Sequence, residues 1–312
     1  MRKILITGGT GFIGANLTHS LVGLGYKPTL LIRNQSNLWR LKTIKDKIKF
    51  IEGDLTDNKI LEKLIIKTKP THIFHMASYG SNQGKQNNIS LTYYNNVIGT
   101  MNLFNICCQC GFEYFINTGS SSEYGIKKKS MKETDLLEPI NYYGVTKAIN
   151  TLTATMLSKK HQLPMVTLRL FSPYGCWEDK LRLIPHIIIN ALHNRPVNLS
   201  NPRFARDFIF ISDVINAYLY FLNGEKYYGE VFNIGFGQQH TIGKIVEIVS
   251  NRLGKKLDVV WQTHLSNQLE PKKWLANIDK TGKMLKWKPK LDIEQGLVKS
   301  INWFKNNIIS YI

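Results

Sequence analysis

Short, almost wholly apolar runs alternate with longer amphipathic stretches through the first two-thirds of the chain. The apolar runs lack the polar alternation of a half-exposed strand, which is typical of parallel strands covered on both faces. They predict strands at residues 3–7, 29–33, 48–52, 72–76, 114–118 and 164–170, with helical patterns near residues 13–24, 58–68, 89–110 and 142–160. Strands and helices that alternate at this spacing predict an α/β protein with a doubly wound parallel sheet.

This alternation stops near residue 171, where the chain breaks into shorter segments punctuated by proline. We expect a Rossmann-type domain over residues 1–170 with return segments near 205–240, because the apolar run at 231–234 can rejoin the first sheet. Residues 171–204 and 241–312 then form a smaller C-terminal α+β domain. The length of 312 residues fits two such domains.

The composition, with 43% hydrophobic and 20% charged residues, excludes a disordered or fibrous chain. No apolar run approaches the roughly 18 residues that a membrane span needs, so we expect no membrane partner. The apolar stretch at residues 4–6 is too short for a signal peptide, and we expect a cytoplasmic protein.

The net charge of +19 points to an anionic partner such as a phosphorylated small molecule, although solvated lysine-rich faces account for the same excess. No continuous basic run carries interleaved aromatic residues, so we do not expect nucleic acid as a partner. Cys107, Cys108, Cys110 and Cys176 match no zinc-binding spacing, which predicts free thiols and no metal site.

A glycine-rich loop follows the first predicted strand directly and opens a helix. Its glycines allow a tight turn and the close approach of a diphosphate to the helix N-terminus. The candidate cofactor-binding residues of this loop are Gly8, Thr10, Gly11, Phe12, Ile13 and Gly14.

The end of the second predicted strand selects between the two nicotinamide cofactors. A carboxylate there would bind the ribose 2′-hydroxyl of NAD(H), but the chain has Arg33 followed by Asn34. A guanidinium pairs well with a 2′-phosphate, so NADP(H) is favoured and NAD(H) remains possible.

Tyr143 and Lys147 are four residues apart at the start of a predicted helix and therefore share one face. A cation about 5 Å from a phenol, at an effective dielectric of about 20, favours the phenolate by roughly 3 kcal/mol. Tyr124 and Lys128 have the same spacing but lie outside any amphipathic pattern. The first pair therefore predicts acid–base chemistry.

Together the loop, the Tyr-x-x-x-Lys pair and the serine run at 120–122 resemble the extended branch of the short-chain dehydrogenase/reductases that act on nucleotide sugars. The resemblance covers residues 1 to about 235. It implies that Ser120, with Ser121 as the alternative, is catalytic together with Tyr143 and Lys147, and that Tyr143 and Lys147 also contact the cofactor. The further cofactor-binding residues that it implies are Asp54, Leu55, Ala77, Asn96 and Thr118.

The same resemblance implies a nucleotide-diphosphate sugar as substrate, bound largely by the C-terminal domain. Its substrate-binding candidates are Ser121, Ser122, Ser172, Arg206 and Lys273, where Lys273 or its neighbour Lys272 stands in for an arginine that clamps the diphosphate in the family. It also implies a homodimer that pairs through the helices near 89–110 and 142–160.

Three kinds of enzyme in this family differ at the positions of Ser121, Ser122 and Arg33. The 4,6-dehydratases carry Asp-Glu where this chain has Ser121 and Ser122, so elimination lacks its acid and base. The 4-epimerases end the second strand with an acidic residue, unlike Arg33 here. The favoured hypothesis is NADPH-dependent reduction of a nucleotide-linked 4-keto-6-deoxyhexose in surface-polysaccharide biosynthesis, similar to CDP-abequose and CDP-paratose synthases and dTDP-4-keto-6-deoxyglucose reductases. The alternatives are an NAD-dependent nucleotide-sugar 4-epimerase and, more remotely, a non-catalytic NADP-binding sensor.

Overall fold

The computed structural model describes residues 2–80, 88–262 and 273–311. Its strands are β1 (Ile4–Thr7), β2 (Thr29–Ile32), β3 (Lys49–Glu52), β4 (His72–His75), β5 (Tyr114–Ser120), β6 (Met165–Leu170), β7 (Pro173–Tyr174), β8 (Val197–Leu199), β9 (Ala205–Arg206), β10 (Ile209–Phe210), β11 (Glu230–Ile234), β12 (His240–Thr241) and β13 (Val259–Trp261). Its helices are α1 (Phe12–Gly23), α2 (Asn58–Thr68), α3 (Ile89–Tyr93), α4 (Gly99–Cys110), α5 (Tyr142–His161), α6 (Leu183–Leu192), α7 (Ile211–Tyr220), α8 (Ile242–Leu253), α9 (Asp279–Leu285) and α10 (Ile293–Asn307).

The predicted strands assemble into one seven-stranded sheet in the order β11-β6-β5-β4-β1-β2-β3. Parallel pairing joins β3, β2, β1, β4, β5 and β6 in turn. Strands β1, β4, β5 and β6 are buried throughout, because helices cover both faces of the sheet. The α/β, Rossmann-type prediction is therefore confirmed, and the late apolar run does rejoin the sheet as β11. The carboxyl ends of the strands, where such sheets bind ligands, meet along one edge.

Side-chain caps fix the starts of two helices that flank this sheet. Asp57 accepts the Ile60 N–H at the start of α2, and Asn141 accepts the Gly144 N–H at 2.7 Å at the start of α5. The cap at Asn141 fixes the start of α5, and Tyr143 and Lys147 lie in the first two turns that follow it.

The predicted helix at 89–110 is instead three consecutive pieces: α3, a π-helical turn at Tyr94–Ile98, and α4. The buried Asn96 lies in that turn and bonds to the backbone of Tyr79 and to the hydroxyl of Thr146. A π turn inserts one extra residue, which redirects a side chain without ending the helix. Hydrophobic periodicity cannot predict these side-chain hydrogen bonds.

The chain divides into two compact units. Unit 1 contains Met1–Gly125, Leu136–Leu170 and Ile215–Phe232, and unit 2 contains Ile126–Asp135, Phe171–Val214 and Asn233–Ile312. The returning segment is thus shorter than the predicted 205–240, and residues 126–135 belong to unit 2 although the prediction assigns them to the first domain. The reason is that Met131 exchanges backbone hydrogen bonds with Leu275 and Asn277.

In its described residues, unit 2 has three two-stranded pairings, β7 with β10, β8 with β13 and β9 with β12, together with α6, α8, α9 and α10. Buried carboxylates organise its loops. Asp207 accepts the N–H groups of Phe236, Gly237 and Ala276, and Asp213 accepts those of Lys290 and Leu291. Within the described ranges, no helix has both the length and the apolar character needed to cross a membrane.

Candidate active site

The glycine loop leaves no room for side chains at two of its positions. Gly8 has a φ of +71°, and a Cβ there would lie 2.5 Å from the amide nitrogen of Ala77. A Cβ at Gly14 would lie 2.2 Å from the Gly8 carbonyl oxygen, while the Gly11 N–H donates to that same oxygen at 3.0 Å. The loop therefore requires glycine for steric reasons, and it brings the predicted residues Gly8 and Ala77 together.

This loop fits the diphosphate of a dinucleotide. Helix α1 begins at Phe12 with Gly11 as its N-cap, and no side chain caps it in the described part of the chain. Its first turn contains no acidic residue, so its N–H groups and positive dipole end suit an anion. Phe12 and Ile13 are half-buried in that first turn. The Thr10 carbonyl accepts a hydrogen bond from Arg40.

Two arginines follow β2 on the same side of the sheet as the loop. Arg33 lies in a tight turn, in which its N–H donates to Ser36 Oγ at 3.0 Å and its carbonyl accepts the Ser36 N–H. Arg40 donates from Nη1 to the Thr10 carbonyl at 3.4 Å, and its guanidinium lies 4.5 Å from the centre of the Trp39 ring. Asn34 is exposed in the turn. A guanidinium is thus anchored directly to the glycine loop.

The segment after β3 runs beside the end of β2, because the Gly53 N–H donates to the Ile32 carbonyl. Asp54 follows and accepts the N–H and the hydroxyl of Thr56 at 2.9 and 2.8 Å. The carbonyl of Leu55 accepts from Asn102 on α4. Asp54 and Leu55 thus lie next to the turn that holds Arg33, where the resemblance expects the adenosine half of a cofactor.

Lys147 is buried and donates from Nζ to the Thr118 carbonyl at 2.8 Å. Burial lowers the pKa of its ammonium to about 8, and the negative charge of Glu123 opposes that decrease. The Thr118 hydroxyl hydrogen-bonds to the buried Tyr218 hydroxyl at 2.7 Å, so both polar groups of Thr118 are engaged within the protein. The predicted role of Thr118 as a cofactor contact stays a prediction, whereas its role as an anchor for Lys147 is observed.

Tyr143 is half-buried one helical turn before Lys147, whose Nζ lies 5.8 Å from the centre of the tyrosine ring. The pair therefore occupies one face of α5, as its spacing predicts. A positive charge at this distance attracts negative charge on the Tyr143 oxygen. The pair can take a proton from, or give one to, a substrate hydroxyl.

Ser120 ends β5 and begins a one-turn 3-10 helix at Ser121–Glu123. Its Oγ accepts the Ser122 N–H at 3.1 Å, which leaves the hydroxyl proton for another acceptor. Ser121 is buried and Ser122 is half-buried. Because both residues are serines, neither position supplies a carboxylate. The strand end thus presents a hydroxyl and no acid–base pair of its own.

Asn96 serves the site through the backbone of a neighbouring loop. Its amide accepts from the Tyr79 N–H and donates to the Tyr79 carbonyl and the Thr146 hydroxyl. It links the segment that contains Ala77 to α5, and its predicted contact with the cofactor stays a prediction. Close by, His75 lies between the hydroxyls of Thr7 and Thr100, and complete burial lowers its pKa to about 3, so it is neutral.

The remaining predicted residues lie in unit 2. Arg206 on β9 donates to the Ala205 carbonyl, and its guanidinium lies 5.6 Å from the centre of the Trp274 ring. Lys273 is exposed and directly precedes Trp274 in the chain. Ser172 is half-buried, with its carbonyl accepting the Ile209 N–H. Lys272 lies outside the described residues.

The sequence alone does not predict several residues of the site. The sequence motif contains Glu123 and Arg169 without indicating that they form a buried pair at 2.7 Å. No local sequence pattern predicts the contact of Tyr218 with Thr118, because the two residues are 100 positions apart in the chain. Among the described residues, no three His, Cys, Asp or Glu side chains form a metal-binding cluster.

The sequence matches the model of a family described as the NAD dependent epimerase/dehydratase family over residues 4–235. Among curated proteins, the chain is similar to a putative UDP-glucose 4-epimerase of Methanocaldococcus jannaschii, with 24% identity over 97% of this chain and 99% of that one. The family match covers the whole sheet of unit 1 and reaches β11.

Solved structures of similar proteins have the same fold. One is the UDP-glucuronic acid 4-epimerase of Bacillus cereus in complex with UDP-glucuronic acid and NAD, with a TM-score of 0.88 and 26% identity over 98% of this chain and 99% of that one. Another is the dTDP-glucose 4,6-dehydratase of Bacillus anthracis in complex with NAD, with a TM-score of 0.88 and 27% identity over 98% of this chain and 97% of that one. Both similarities extend over nearly the full length of this chain.

Proposed function

Because the chain belongs to the NAD dependent epimerase/dehydratase family, we propose that it is a 4-epimerase that inverts the hydroxyl at C4 of a nucleotide-linked hexose. The similar proteins named above support an enzyme that acts on nucleotide sugars. Two of them carry the name 4-epimerase, and none is named a 4-keto-6-deoxyhexose reductase. The 4-epimerase therefore ranks ahead of the reductase that the sequence alone favours.

One observation carries the proposal: Tyr143, Lys147 and Ser120 are ordered at the carboxyl edge of the sheet, and the two positions after Ser120 are serines. Removal of water from a sugar needs a general acid and a general base besides the group that handles the C4 proton. Ser121 and Ser122 supply neither. The site is therefore suited to chemistry at C4 alone, in contrast to that of a dehydratase.

The mechanism follows from three side chains. A bound nicotinamide supplies a reversible hydride acceptor for C4. Tyr143 as the phenolate takes the proton of the C4 hydroxyl and later returns it, and the charge of Lys147 stabilises the phenolate before the first step and after the second. The Ser120 hydroxyl donates to the C4 oxygen as it becomes a carbonyl. Inversion requires the 4-keto sugar to present its opposite face before C4 takes back hydride, so Tyr143 must reach the C4 oxygen in both orientations of the sugar.

Two observations bear on the choice between NAD and NADP as cofactor, and they point in opposite directions. The similar solved structures hold NAD, and in this chain the glycine loop fits the diphosphate that NAD and NADP share. Arg33 and Arg40, however, are cations where a carboxylate would select NAD, and Arg40 is hydrogen-bonded to the loop itself. These arginines are the specific feature that favours a second candidate function, NADPH-dependent reduction of a nucleotide-linked 4-keto-6-deoxyhexose.

For the substrate, the proposed contact is the diphosphate of a nucleotide sugar. Arg206 presents a guanidinium packed on Trp274, with the cationic Lys273 next in the chain. A guanidinium steadied by an aromatic ring is well suited to binding phosphate oxygens in pairs. Ser172 remains a proposed neighbour of this site.

A homodimer is proposed from exposed apolar side chains on two elements of unit 1 that pack together. Leu91, Tyr94 and Ile98 lie on α3 and the π turn, and Leu152 and Met156 lie one turn apart on α5. Each is 42–61% exposed, which is unusual for large apolar residues so close together on one helix pair. Pairing of two copies through these helices would cover them.

The experiment that tests the proposed function is a product analysis with UDP-, dTDP-, CDP- and GDP-hexoses. A 4-epimerase converts one of them to its C4 epimer with no net change in NAD(P)H absorbance at 340 nm. A reductase leaves these sugars unchanged and consumes NADPH only when a 4-keto-6-deoxyhexose is added. Consumption of NADPH with such a keto sugar, together with no epimer from any hexose, transfers the assignment to the reductase.

A further inference from the structure

Glu123 and Arg169 form a buried ion pair at the edge of the site. Their carboxylate and guanidinium meet at 2.7 Å, and the two side chains are 0% and 3% exposed. A buried pair gains little stability over a well-packed apolar pair of the same volume, because both charges lose their hydration. Stability alone therefore does not account for the pair, and its contacts indicate what else it contributes.

The carboxylate holds the backbone of Ser120. Oε1 of Glu123 accepts the Ser120 N–H at 2.8 Å, and Ser120 Oγ accepts the Ser122 N–H at 3.1 Å. These two bonds form a reciprocal cap on the short helix that follows β5. The direction of the Ser120 hydroxyl is thus set by the position of the Glu123 carboxylate.

Arg169 in turn fixes the carboxylate. Arg169 lies on β6 directly beside Gly119 in the register of the sheet. Its Nε donates to Glu123, its Nη1 donates to the Tyr124 hydroxyl at 2.9 Å, and its guanidinium lies 4.6 Å from the centre of the Tyr124 ring. A Cβ at Gly119 would lie 2.6 Å from Oε1 of Glu123, so this close arrangement also depends on a glycine.

Lys147 and this carboxylate bind the same end of β5: the Lys147 Nζ donates to the Thr118 carbonyl, and Glu123 accepts the N–H of Ser120, two residues later. The charge of the carboxylate therefore acts on Lys147. Burial lowers the pKa of the Lys147 ammonium, and the charge of Glu123 raises it. Burial also raises the pKa of Glu123 itself, whereas the charge of Arg169 lowers it. Arg169 thus favours an ionised Glu123, and the ionised Glu123 favours a charged Lys147.

We propose that Glu123 and Arg169 are positioning residues for the reaction: Glu123 orients the Ser120 hydroxyl and maintains the positive charge of Lys147, and Arg169 holds Glu123 in place. This inference rests on the proposed function, because Ser120 and Lys147 act on substrate only if the site handles a sugar hydroxyl. Neither member of the pair needs to touch the substrate.

The first test is Glu123→Gln. The amide keeps an oxygen for the Ser120 N–H but removes the charge. We expect kcat to fall about 10- to 100-fold with KM within about twofold, which is less than the contribution of about 10²–10⁴-fold from a proton-transfer group itself, because Glu123 only positions such groups. The alkaline limb of the kcat profile should move to lower pH by about one unit. Glu62→Gln, which changes an exposed carboxylate on α2, is the matched control and should leave both unchanged.

A double variant separates positioning from folding. Glu123→Gln removes the carboxylate that neutralises the buried Arg169 charge, which should lower Tm, and Glu123→Gln/Arg169→Met removes that buried charge and should recover Tm. The proposal expects kcat to stay low in the double variant. Recovery of kcat and of the pH profile together with Tm would make the pair purely structural and overturn the proposal.

A readout without substrate separates this proposal from the proposed function. The 15N signal of the buried Lys147 ammonium, assigned by its loss in Lys147→Ala, should titrate at a lower pH in Glu123→Gln than in the wild-type protein. An unchanged midpoint overturns the proposed link between Glu123 and Lys147. A lowered midpoint in a protein that converts no nucleotide sugar supports that link and instead rejects the proposed function.

Discussion

The Nζ of Lys147 lies 5.8 Å from the centre of the Tyr143 ring, and it is held there by a 2.8 Å hydrogen bond to the Thr118 carbonyl. The ammonium is buried, so its charge acts on the phenol through a medium of low polarity rather than through bulk water. In the proposed mechanism, proton transfer at Tyr143 therefore depends on whether Lys147 carries its proton.

This relationship predicts the pH dependence of turnover. The pKa of Lys147 is lowered by burial to about 8, so the ammonium is charged below that pH and loses its proton above it. We expect kcat to fall as the pH rises through about 8, since the neutral amine no longer stabilises the phenolate. The measurement is the initial rate at saturating substrate from pH 6 to 10. A rate that stays constant up to pH 10 would contradict the proposed dependence on Lys147.

The glycine loop predicts a steric effect with a matched control on the same helix. In Gly14→Ala the new Cβ would lie 2.2 Å from the Gly8 carbonyl oxygen, so the loop must shift, and we expect dinucleotide affinity to fall at least about 100-fold. In Gly23→Ala, at the last residue of α1, no atom outside the neighbouring helix backbone lies within 4 Å of the new Cβ, and alanine favours a helix over glycine by up to about 1 kcal/mol. Calorimetric titration with NADH and NADPH compares the two variants, and equal affinities would show that the loop does not bind the diphosphate.

Much of this fold is predictable from the sequence because its signals are local. The observed strands β1 to β6 agree with the predicted ones to within two residues at each end, since each is an apolar run between polar turns. The glycine loop and the Tyr143–Lys147 pair are also local patterns, one of seven residues and one of five. The steric requirement at Gly8 and Gly14 is the structural counterpart of the first pattern.

The rest of the site depends on contacts between residues far apart in the chain. Glu123 meets Arg169 across 46 residues, and Thr118 meets Tyr218 across 100. Arg40 reaches the Thr10 carbonyl only because a 3-10 helix at Trp39–Lys47 packs beside α1. No periodicity or composition signal encodes such pairings, and the assignment of residues 126–135 to unit 2 depends on a distant backbone partner in the same way.

Arg33 predicts which cofactor the protein prefers. If Arg33 pairs with a 2′-phosphate, that pair is worth about 1.5 to 3 kcal/mol, or roughly a 10- to 150-fold preference for NADPH over NADH. Arg33→Asp replaces attraction with repulsion and should reverse the preference. The control is Arg195→Asp, an exposed arginine of unit 2. Equal affinities for NADPH and NADH in the wild-type protein would show that Arg33 does not read the 2′-position.

Arg206 predicts a loss confined to substrate binding. Arg206→Ala removes the guanidinium that lies over Trp274, and it should raise KM for the nucleotide sugar roughly 30- to 150-fold, equivalent to about 2 to 3 kcal/mol. Dinucleotide affinity should remain that of the wild-type protein. Arg203→Ala changes an exposed arginine three residues earlier and serves as the control. An Arg206→Ala variant with normal KM but weakened dinucleotide binding would reassign this residue to the cofactor.

The most direct test of the central claim, that the site removes and returns hydrogen at C4, uses a nucleotide hexose labelled with deuterium at C4. The proton NMR spectrum of the product should show the inverted C4 hydroxyl with deuterium still on C4. Tyr143→Phe should lower the rate by about two to four orders of magnitude, whereas Tyr142→Phe, a change at the exposed neighbouring tyrosine, should not. Deuterium found on another carbon, or an inverted product that has lost its deuterium to solvent, would contradict a 4-epimerase.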